Sequence, residues 1–222
     1  MLSIILPVLN EGNQLQDYLE KLQDLRGPSC ELIGVDGGSS DNSLTLLQRY
    51  CDQALSSEKG RTLQMNAGAA ASKGEHLVFL HADTTPPSDM TALISKALNN
   101  ADWGRFDAKL DANGLCFRII EGGMNWRSRW SKVCTGDQAL FFKRSFFFEL
   151  GGYPEIPLME DVALSKSARS KGKFAALENK VVTSARRWQQ HGVIKTVLLM
   201  WELRLRYFLG QSPHYLFQRY YG

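Results

Sequence analysis

"LVFLHADTTP", residues 77–86, decides how the chain is read. Four apolar residues, Leu77 to Leu80, stop abruptly at His81-Ala82-Asp83, and two threonines and two prolines follow. The apolar run predicts a buried strand, and the polar stop marks where that strand leaves the core. Side chains at i and i+2 project to the same side of a strand, so His81 and Asp83 can hold a metal ion between them. Asp followed by Thr and Pro is equally the chemistry of a turn, and taken alone the stretch is satisfied by one.

Working outward, the first half alternates between strand and helix. Ser3 to Leu6 reads as an apolar strand ending at Pro7, and residues 12–25 carry Leu15, Leu19, Leu22 and Leu25 at helical spacing. Leu32 to Val35 predicts a second strand, stopped by "DGGSSDNS". Ser40 or Asp41 can then cap a helix bearing Leu44, Leu47 and Tyr50. A third helix spans Leu63 to Ala71, closed by Gly74, before the strand at 77–80. This alternation predicts an α/β domain, Rossmann-like, with a mostly parallel central sheet and helices on both faces. In such sheets ligands bind at the carboxyl ends of the strands. "PVLNEG", "DGGSSD" and "HADTTP" all fall there. Three strand ends facing one crevice argue against a mere turn at 81–86.

The second half is less regular. Arg105 to Leu110 predicts a strand, Leu115 to Lys132 a helix despite Gly122-Gly123, and Ala139 to Phe142 a strand. "RSFFFELGGYP" reads as a short helix ended by a glycine pair, a helix begins near Glu160, and residues 173–185 are strand-like. No repeat, low-complexity tract or linker divides the chain, so one domain is expected over 1–192, with a helical extension over 193–222.

The helix at Val193 to Leu209 is unusual. At about 100° per residue, Lys195, Glu202 and Arg206 share one narrow face, Arg204 sits alone opposite, and Val197, Leu198, Trp201, Leu205 and Phe208 fill the rest. Two readings stay open. The helix packs on the domain or in a homodimer with one solvated edge, or it lies in a membrane interface with Trp201 and Tyr207 at headgroup level. Trp126, Arg127, Arg129 and Trp130 form a basic aromatic patch. They can grip a lipid phosphate or a membrane surface, or belong to an exposed helix with two core tryptophans.

Composition sets outer bounds. With 222 residues and 44% hydrophobic content the chain can bury a full core, and a net charge of +3 gives no reason to expect nucleic acid as a partner. Cys30, Cys51, Cys116 and Cys134 form no CxxC pair, which suits reduced thiols in a cytoplasmic protein. The start at Met1 has neither basic flank nor cleavage site, so no signal peptide is expected. No run of about 20 apolar residues predicts a spanning helix. Contact with the inner face of the membrane is left to the helix at 193–209.

Taken in order, "SIILPVLNEG", "VDGGSSDNS", "GRTLQMNAGAAASKG", "FLHADT" and "GDQALFFKRSFFFELGGYPEIPLMEDVALS" resemble the motifs of family 2 glycosyltransferases. The similarity is greatest to a small bacterial branch carrying HADT and MEDV, and it covers roughly residues 2–188. It implies the GT-A fold, with a nucleotide-sugar half over about 1–100 and an acceptor half over about 101–192. The implied activity is inverting, metal-assisted transfer of a sugar from a nucleotide-diphosphate sugar to a hydroxyl acceptor, lipid-linked or on a cell-envelope glycan.

The resemblance also implies roles. Pro7, Leu9, Asn10 and Glu11 would meet the nucleoside, or simply enter a helix. Asp36 would take hydrogen bonds from base or ribose, or form an Asx turn; relatives carry a second acid where Gly37 stands. Arg61, Asn66 and Ala82 would flank the donor, Arg61 with charge-assisted bonds to its diphosphate. His81 stands where relatives have the first acid of Asp-x-Asp, and Asp83 matches the acid that touches Mn²⁺ or Mg²⁺. His81 as a second ligand would favour Mn²⁺; otherwise it bonds ribose or phosphate. Asp161 would be the general base, with Glu160 beside it to orient, though acids are favoured at any helix N-terminus. Gly136, Asp137 and Gln138 would line the acceptor side. Arg187 and Trp188 resemble the end of a QxxRW motif, but Thr183 or Ser184 replaces its Gln, which argues against a polysaccharide synthase. Two alternatives remain: a catalytically silent module binding nucleotide or lipid phosphate, and a nucleotidyltransferase, whose Gly-rich basic loop "PVLNEGNQ" lacks.

Overall fold

In the first strand, β1 (Leu2–Val8), every residue but Pro7 is buried, and so is all of β2 (Cys30–Asp36). Strands covered on both faces read as unbroken apolar runs, which is why the pattern here did not alternate. The computed structural model describes residues 1–221, leaving aside the side chain of Asn13; Gly222, the end of the expected extension, lies outside the described residues.

After β1 and α1 (Gly12–Leu22) the chain runs β2, α2 (Ser43–Tyr50), β3 (Gln53–Ser56), α3 (Arg61–Ala71), β4 (His76–Phe79), β5 (Thr84–Thr85) and α4 (Met90–Leu98). It continues with β6 (Trp103–Leu110), α5 (Leu115–Ser131), β7 (Phe141–Lys143), α6 (Arg144–Glu149), α7 (Glu160–Lys171) and β8 (Phe174–Thr183), then α8 (Arg186–His191), α9 (Val193–Phe208) and α10 (Pro213–Tyr221). The sheet order is β3-β2-β1-β4-β7-β6-β8-β5. Its first four strands are mutually parallel, as expected. The sheet is mostly parallel, as expected, and becomes mixed beyond β4. β7 runs antiparallel to both β4 and β6, β5 is antiparallel to β8, and only β6 and β8 pair in parallel there.

Alternate residues of β1 face opposite layers. Leu2, Ile4, Leu6 and Val8 pack with Leu15 and Leu19 of α1, Leu47 of α2 and Ile94 of α4. Ile5 packs instead with Met65 and Ala69 of α3, Phe147 of α6 and Leu164 of α7. Pro7 sits inside a central strand, where a missing N–H normally breaks a ladder. Pairing with β4 has ended at Ile5–Phe79, so at Pro7 only the β2 side is paired and the strand is locally an edge. That departure of β4 from β1 opens the crevice.

β3, β5 and α4 were not anticipated. The cap expected before α2 is also different: Asn42 holds the cap position without a side-chain bond, and Asp41 instead accepts from the amides of Ser43 and Gly12, each at 2.9 Å.

Helix α9 packs on the domain through Thr196, Leu199, Met200, Leu203 and Tyr207; on its polar stripe Lys195 is exposed, and Glu202 accepts from Arg206 at 2.8 Å and lies 3.5 Å from Arg219 of α10. The apolar stripe, Ile194, Leu198, Trp201, Leu205 and Phe208, is what stays exposed. On α5, Trp126 and Trp130 are not core residues. They are 70% and 81% exposed and stack with ring centroids 6.3 Å apart. Among the described residues no helix is long and apolar enough to cross a membrane.

Candidate active site

The loops after β1 and β2 are stitched to each other. Asn10, with left-handed φ of 55°, accepts from the Ser40 amide at 2.8 Å, and its own amide donates to Ser39 Oγ at 2.9 Å. The Glu11 amide donates to Ser43 Oγ at 3.1 Å. At the end of β2, Asp36 Oδ2 accepts from the amides of Gly38 and Ser39, an Asx turn, while its buried Oδ1 has no partner. A buried carboxylate oxygen without a donor is costly unless a ligand supplies one. Gln64, which sequence reading missed, donates through Nε2 to the carbonyls of Val8 and Val35 at 2.7 and 2.8 Å, tying the two strand ends together. A Cβ at Gly37 would lie 2.9–3.0 Å from the Gln64 amide, so a larger residue there would have to displace the side chain that ties the strand ends.

His81, at the end of β4, joins residues far apart in sequence. Arg61 Nη2, at the start of α3, lies 3.2 Å from His81 Nδ1, and Asp137 Oδ1 lies 3.5 Å from the same nitrogen. Arg61 also reaches Glu160, 3.5 Å away and 99 residues on. A Cβ on Gly136 would stand 2.4 Å from His81 Nε2, so only glycine lets the imidazole lie there. Asp161 accepts from the Gly136 amide at 2.9 Å through Oδ2 and from the Val162 amide at 2.6 Å through Oδ1. The first turn of α7 therefore holds the Gly136–Gln138 turn against β4. Three of the four non-glycine residues with left-handed backbone, Asn10, Ala139 and Met159, flank these loops, where strain tends to collect at functional sites.

The carboxylates are differentiated. Burial, then the adjacent Asp161 charge, push the Glu160 carboxyl above its ordinary value, with Arg61 only partly opposing. For the half-exposed Asp137, crowding acts upward, but a hydrogen bond from His81 and the charges of His81 and Arg61 hold its carboxyl below the usual range. Burial lifts the Glu11 carboxyl; Arg186 opposes this, and Asp83 and Asp41 add to it.

These contacts bear on a metal. Asp83 is exposed, with one long contact, 3.4 Å, from the Thr84 hydroxyl, and its charge is felt at Glu11. A hard cation bound mainly through substrate phosphates needs only one or two such carboxylates. Asp83 fits that role. His81 fits it poorly, because a guanidinium already faces its Nδ1 and its Nε2 packs over Gly136. Among the described residues no cluster of three or more His, Cys, Asp or Glu side chains is arranged to hold an ion unaided.

Pro7, Leu9 and Ala82 line up at these strand ends as half-buried residues. Four others point elsewhere. Asn66 Nδ2 donates to the Tyr153 carbonyl and its Oδ1 accepts from the Tyr153 amide, so both ends of the amide are engaged with one peptide. Gln138 is fully buried and donates to Ser128 Oγ at 2.9 Å. Arg187 lies 3.6 Å from the centre of the Tyr220 ring and donates to its carbonyl, which docks α10. Trp188 packs against the cluster of Leu110, Ala112, Phe117 and Ala185. Helix α10 in turn brings Tyr221 close enough to Arg61 to act on its charge, a closure no local motif signals.

Comparison with known proteins agrees with this geometry. The sequence profile of Glycosyl transferase family 2 matches residues 3–150. The probable glycosyltransferase YdaM of Bacillus subtilis (strain 168) is 24% identical over 95% of this chain and 55% of its own length. The chain thus spans about half the length of that relative. Two solved structures share the fold. Staphylococcus aureus TarS 1-349 in complex with UDP-GlcNAc has a TM-score of 0.63, 18% identity and coverage of 82% of this chain and 58% of the other. The mannosyltransferase PcManGT from Pyrobaculum calidifontis, in complex with GDP-Man and Mn²⁺, has a TM-score of 0.63, 20% identity and coverage of 82% and 56%. The architecture is the GT-A α/β fold. The chain belongs to glycosyl transferase family 2.

Proposed function

We propose that the protein transfers a sugar from a nucleoside-diphosphate sugar to a hydroxyl acceptor with inversion at the anomeric carbon. The observation that carries this reading is the set of contacts joining Arg61 to His81 and Glu160, and Asp161 to Gly136, beside the carboxyl end of β4, with Asp36 at the end of β2 and Asp83 just past β4. Asp36 Oδ1, short of a donor, accepts from the nucleoside. Arg61, half-exposed and directed by Glu160, bonds the diphosphate. Asp83 would hold Mn²⁺ or Mg²⁺ against the phosphates, where the ion supplies neutralisation of the leaving diphosphate. Asp161 takes the acceptor proton on the opposite side. Both its oxygens accept from backbone amides, which fixes the carboxylate and leaves further lone pairs for that proton. Glu160, whose carboxyl burial raises above its ordinary value and which lies 3.5 Å from Arg61, positions rather than deprotonates.

The reading is tested by screening nucleotide-sugars for a rise in melting temperature with and without Mn²⁺, since a true donor stabilises by mass action. Release of free nucleoside diphosphate on adding acceptor-containing extract is then expected. Donor binding with no release under any acceptor would favour the silent binding module. Stabilisation by nucleoside triphosphates alone would favour a nucleotidyltransferase.

A further inference from the structure

Helices α5 and α9 lie side by side. At one end Phe117 and Ile120 of α5 share an apolar cluster with Val193 at the start of α9. At the other, Arg127 and Ser131 of α5 line the same small cavity as Arg204 and Tyr207 of α9. The two helices therefore run in the same direction. Each buries one side against the domain: Phe117, Glu121 and Ser128 on α5, Thr196 and Leu203 on α9. At about 100° per residue, the residues that meet the partner helix fall between that buried side and a third side that points outward. On α5 the outward side carries Leu115, Ile119, Trp126 and Trp130. On α9 it carries Ile194, Leu198, Trp201, Leu205 and Phe208, and all nine are 62–81% exposed. The two stripes form one apolar face. At about 200 Å² apiece, its three indoles alone present roughly 400 Å², the scale at which an exposed apolar patch marks an interaction site.

The surroundings of that face are basic. Residues 114–133 and 185–221, which contain both helices, hold ten Lys and Arg and two acids, whereas the rest of the chain holds 16 and 21. The mild overall charge thus conceals a positive pole on a net acidic protein. Neither acid of the pole is free: Glu121 is buried beside Arg118, and Glu202 pairs with Arg206 and Arg219. At the edges of the face Lys132 ends α5, Lys195 adjoins Ile194, and Lys166 Nζ lies 4.0 Å from the centre of the Phe208 ring. None of these three lysines is ion-paired among the described residues. We propose that this face docks on an anionic lipid bilayer, with α5 and α9 lying in the plane of the headgroups and the indoles at the boundary between water and lipid. An anionic leaflet supplies the charge that the basic rim lacks. A second copy of the chain would instead bring another positive pole against the first. Docking leaves the donor loops open to water. Helix α5 is tied to β6, where Asn125 bonds both backbone groups of Ala108 at 2.8 and 2.9 Å, and β4 and β7 separate β6 from β1 and β2. Such docking goes beyond sugar transfer and does not require it.

The test is co-sedimentation of the whole chain with vesicles of phosphatidylcholine alone, or of phosphatidylcholine and phosphatidylglycerol in equal parts. Binding to the anionic vesicles is expected to be at least about tenfold tighter than to the neutral ones, and to weaken as salt rises. Trp130→Ala and Trp201→Ala together should lower partition onto anionic vesicles by at least about tenfold. Both side chains are exposed, and melting temperature checks the fold. Lys132→Glu and Lys195→Glu together form a second variant, also at exposed positions, and should lower the same partition roughly tenfold. No binding to either vesicle, equal binding to both, or binding unchanged in both double variants overturns the proposal. So does a stable dimer in sedimentation velocity that the tryptophan variant breaks and no vesicle displaces, which would assign the face to a second copy.

Discussion

The two sides of the candidate site, proposed above for donor and acceptor, are built by different means. On the donor side, short loops at the ends of β1 and β2 bond to each other, amide to side chain, over sequence separations near 30 residues. On the other side, Glu160 reaches back 99 residues to Arg61, and Asp161 fixes Gly136 across 25. The first side is framed by the parallel sheet itself. The second is assembled by whatever packs onto the mixed half, including α9 and α10. A site of this kind can keep its donor chemistry while its acceptor side is rebuilt helix by helix.

The contrast can be broken most decisively at Asp161. Asp161→Asn keeps shape and part of the bonding to Gly136 but cannot take a proton. Turnover should fall by about 10²–10⁴, with donor affinity within a few-fold of the parent. Near-normal turnover in steady-state assays would leave Asp161 as the clamp of the Gly136 turn and nothing more. Next in size, Asp83→Ala should weaken Mn²⁺-dependent donor binding by at least about tenfold and make binding insensitive to chelation. Calorimetry that still shows a chelator effect would place the ion elsewhere.

Two smaller effects sharpen the comparison. Asn66→Ala leaves both polar groups of the Tyr153 peptide without their partner and should cost about 1–3 kcal/mol in denaturant unfolding, with donor affinity unchanged. A loss of donor affinity at full stability would restore Asn66 to the donor site. The smallest effect concerns Glu160. Because its folded-state value lies above the ordinary 4.5, the native protein holds the extra proton between the two values, and this contribution to stability is lost as pH rises through the folded value. Glu160→Gln should remove that fall, so melting temperatures of parent and variant diverge as pH rises above about 4.5. Parallel curves would show that Arg61 keeps the carboxylate charged after all.

The donor side was legible in the sequence because each strand and the loop that leaves it are contiguous: apolar run, then polar stop. That pattern put Asn10, Asp36 and Asp83 at or just past strand ends, where the structure has them. Gln64 was not legible, since a glutamine inside a helix carries no signal until the strand carbonyls beneath it are in place. Arg187 and Trp188 were assigned to the acceptor by motif position, yet a docked C-terminal helix and a small apolar cluster claim them. The apolar residues of α9 run round most of the helix; packing took one side of them, Leu199, Met200, Leu203 and Tyr207, and left Ile194, Leu198, Trp201 and Leu205 exposed. Periodicity identifies faces; it does not say which of them another helix will cover.

The exposed tryptophans have a spectroscopic consequence. Of five indoles, Trp103 is fully buried and Trp188 packs against a core cluster, while Trp126, Trp130 and Trp201 stand in water. Ultraviolet emission from the native protein should therefore be weighted toward long wavelengths, and its quenching by small polar reagents should be divided into an easy and a resistant fraction. The easy fraction comes entirely from α5 and α9. Whatever covers that face will shift the emission blue without touching the donor crevice, so the chain carries its own optical reporter for one side of the molecule.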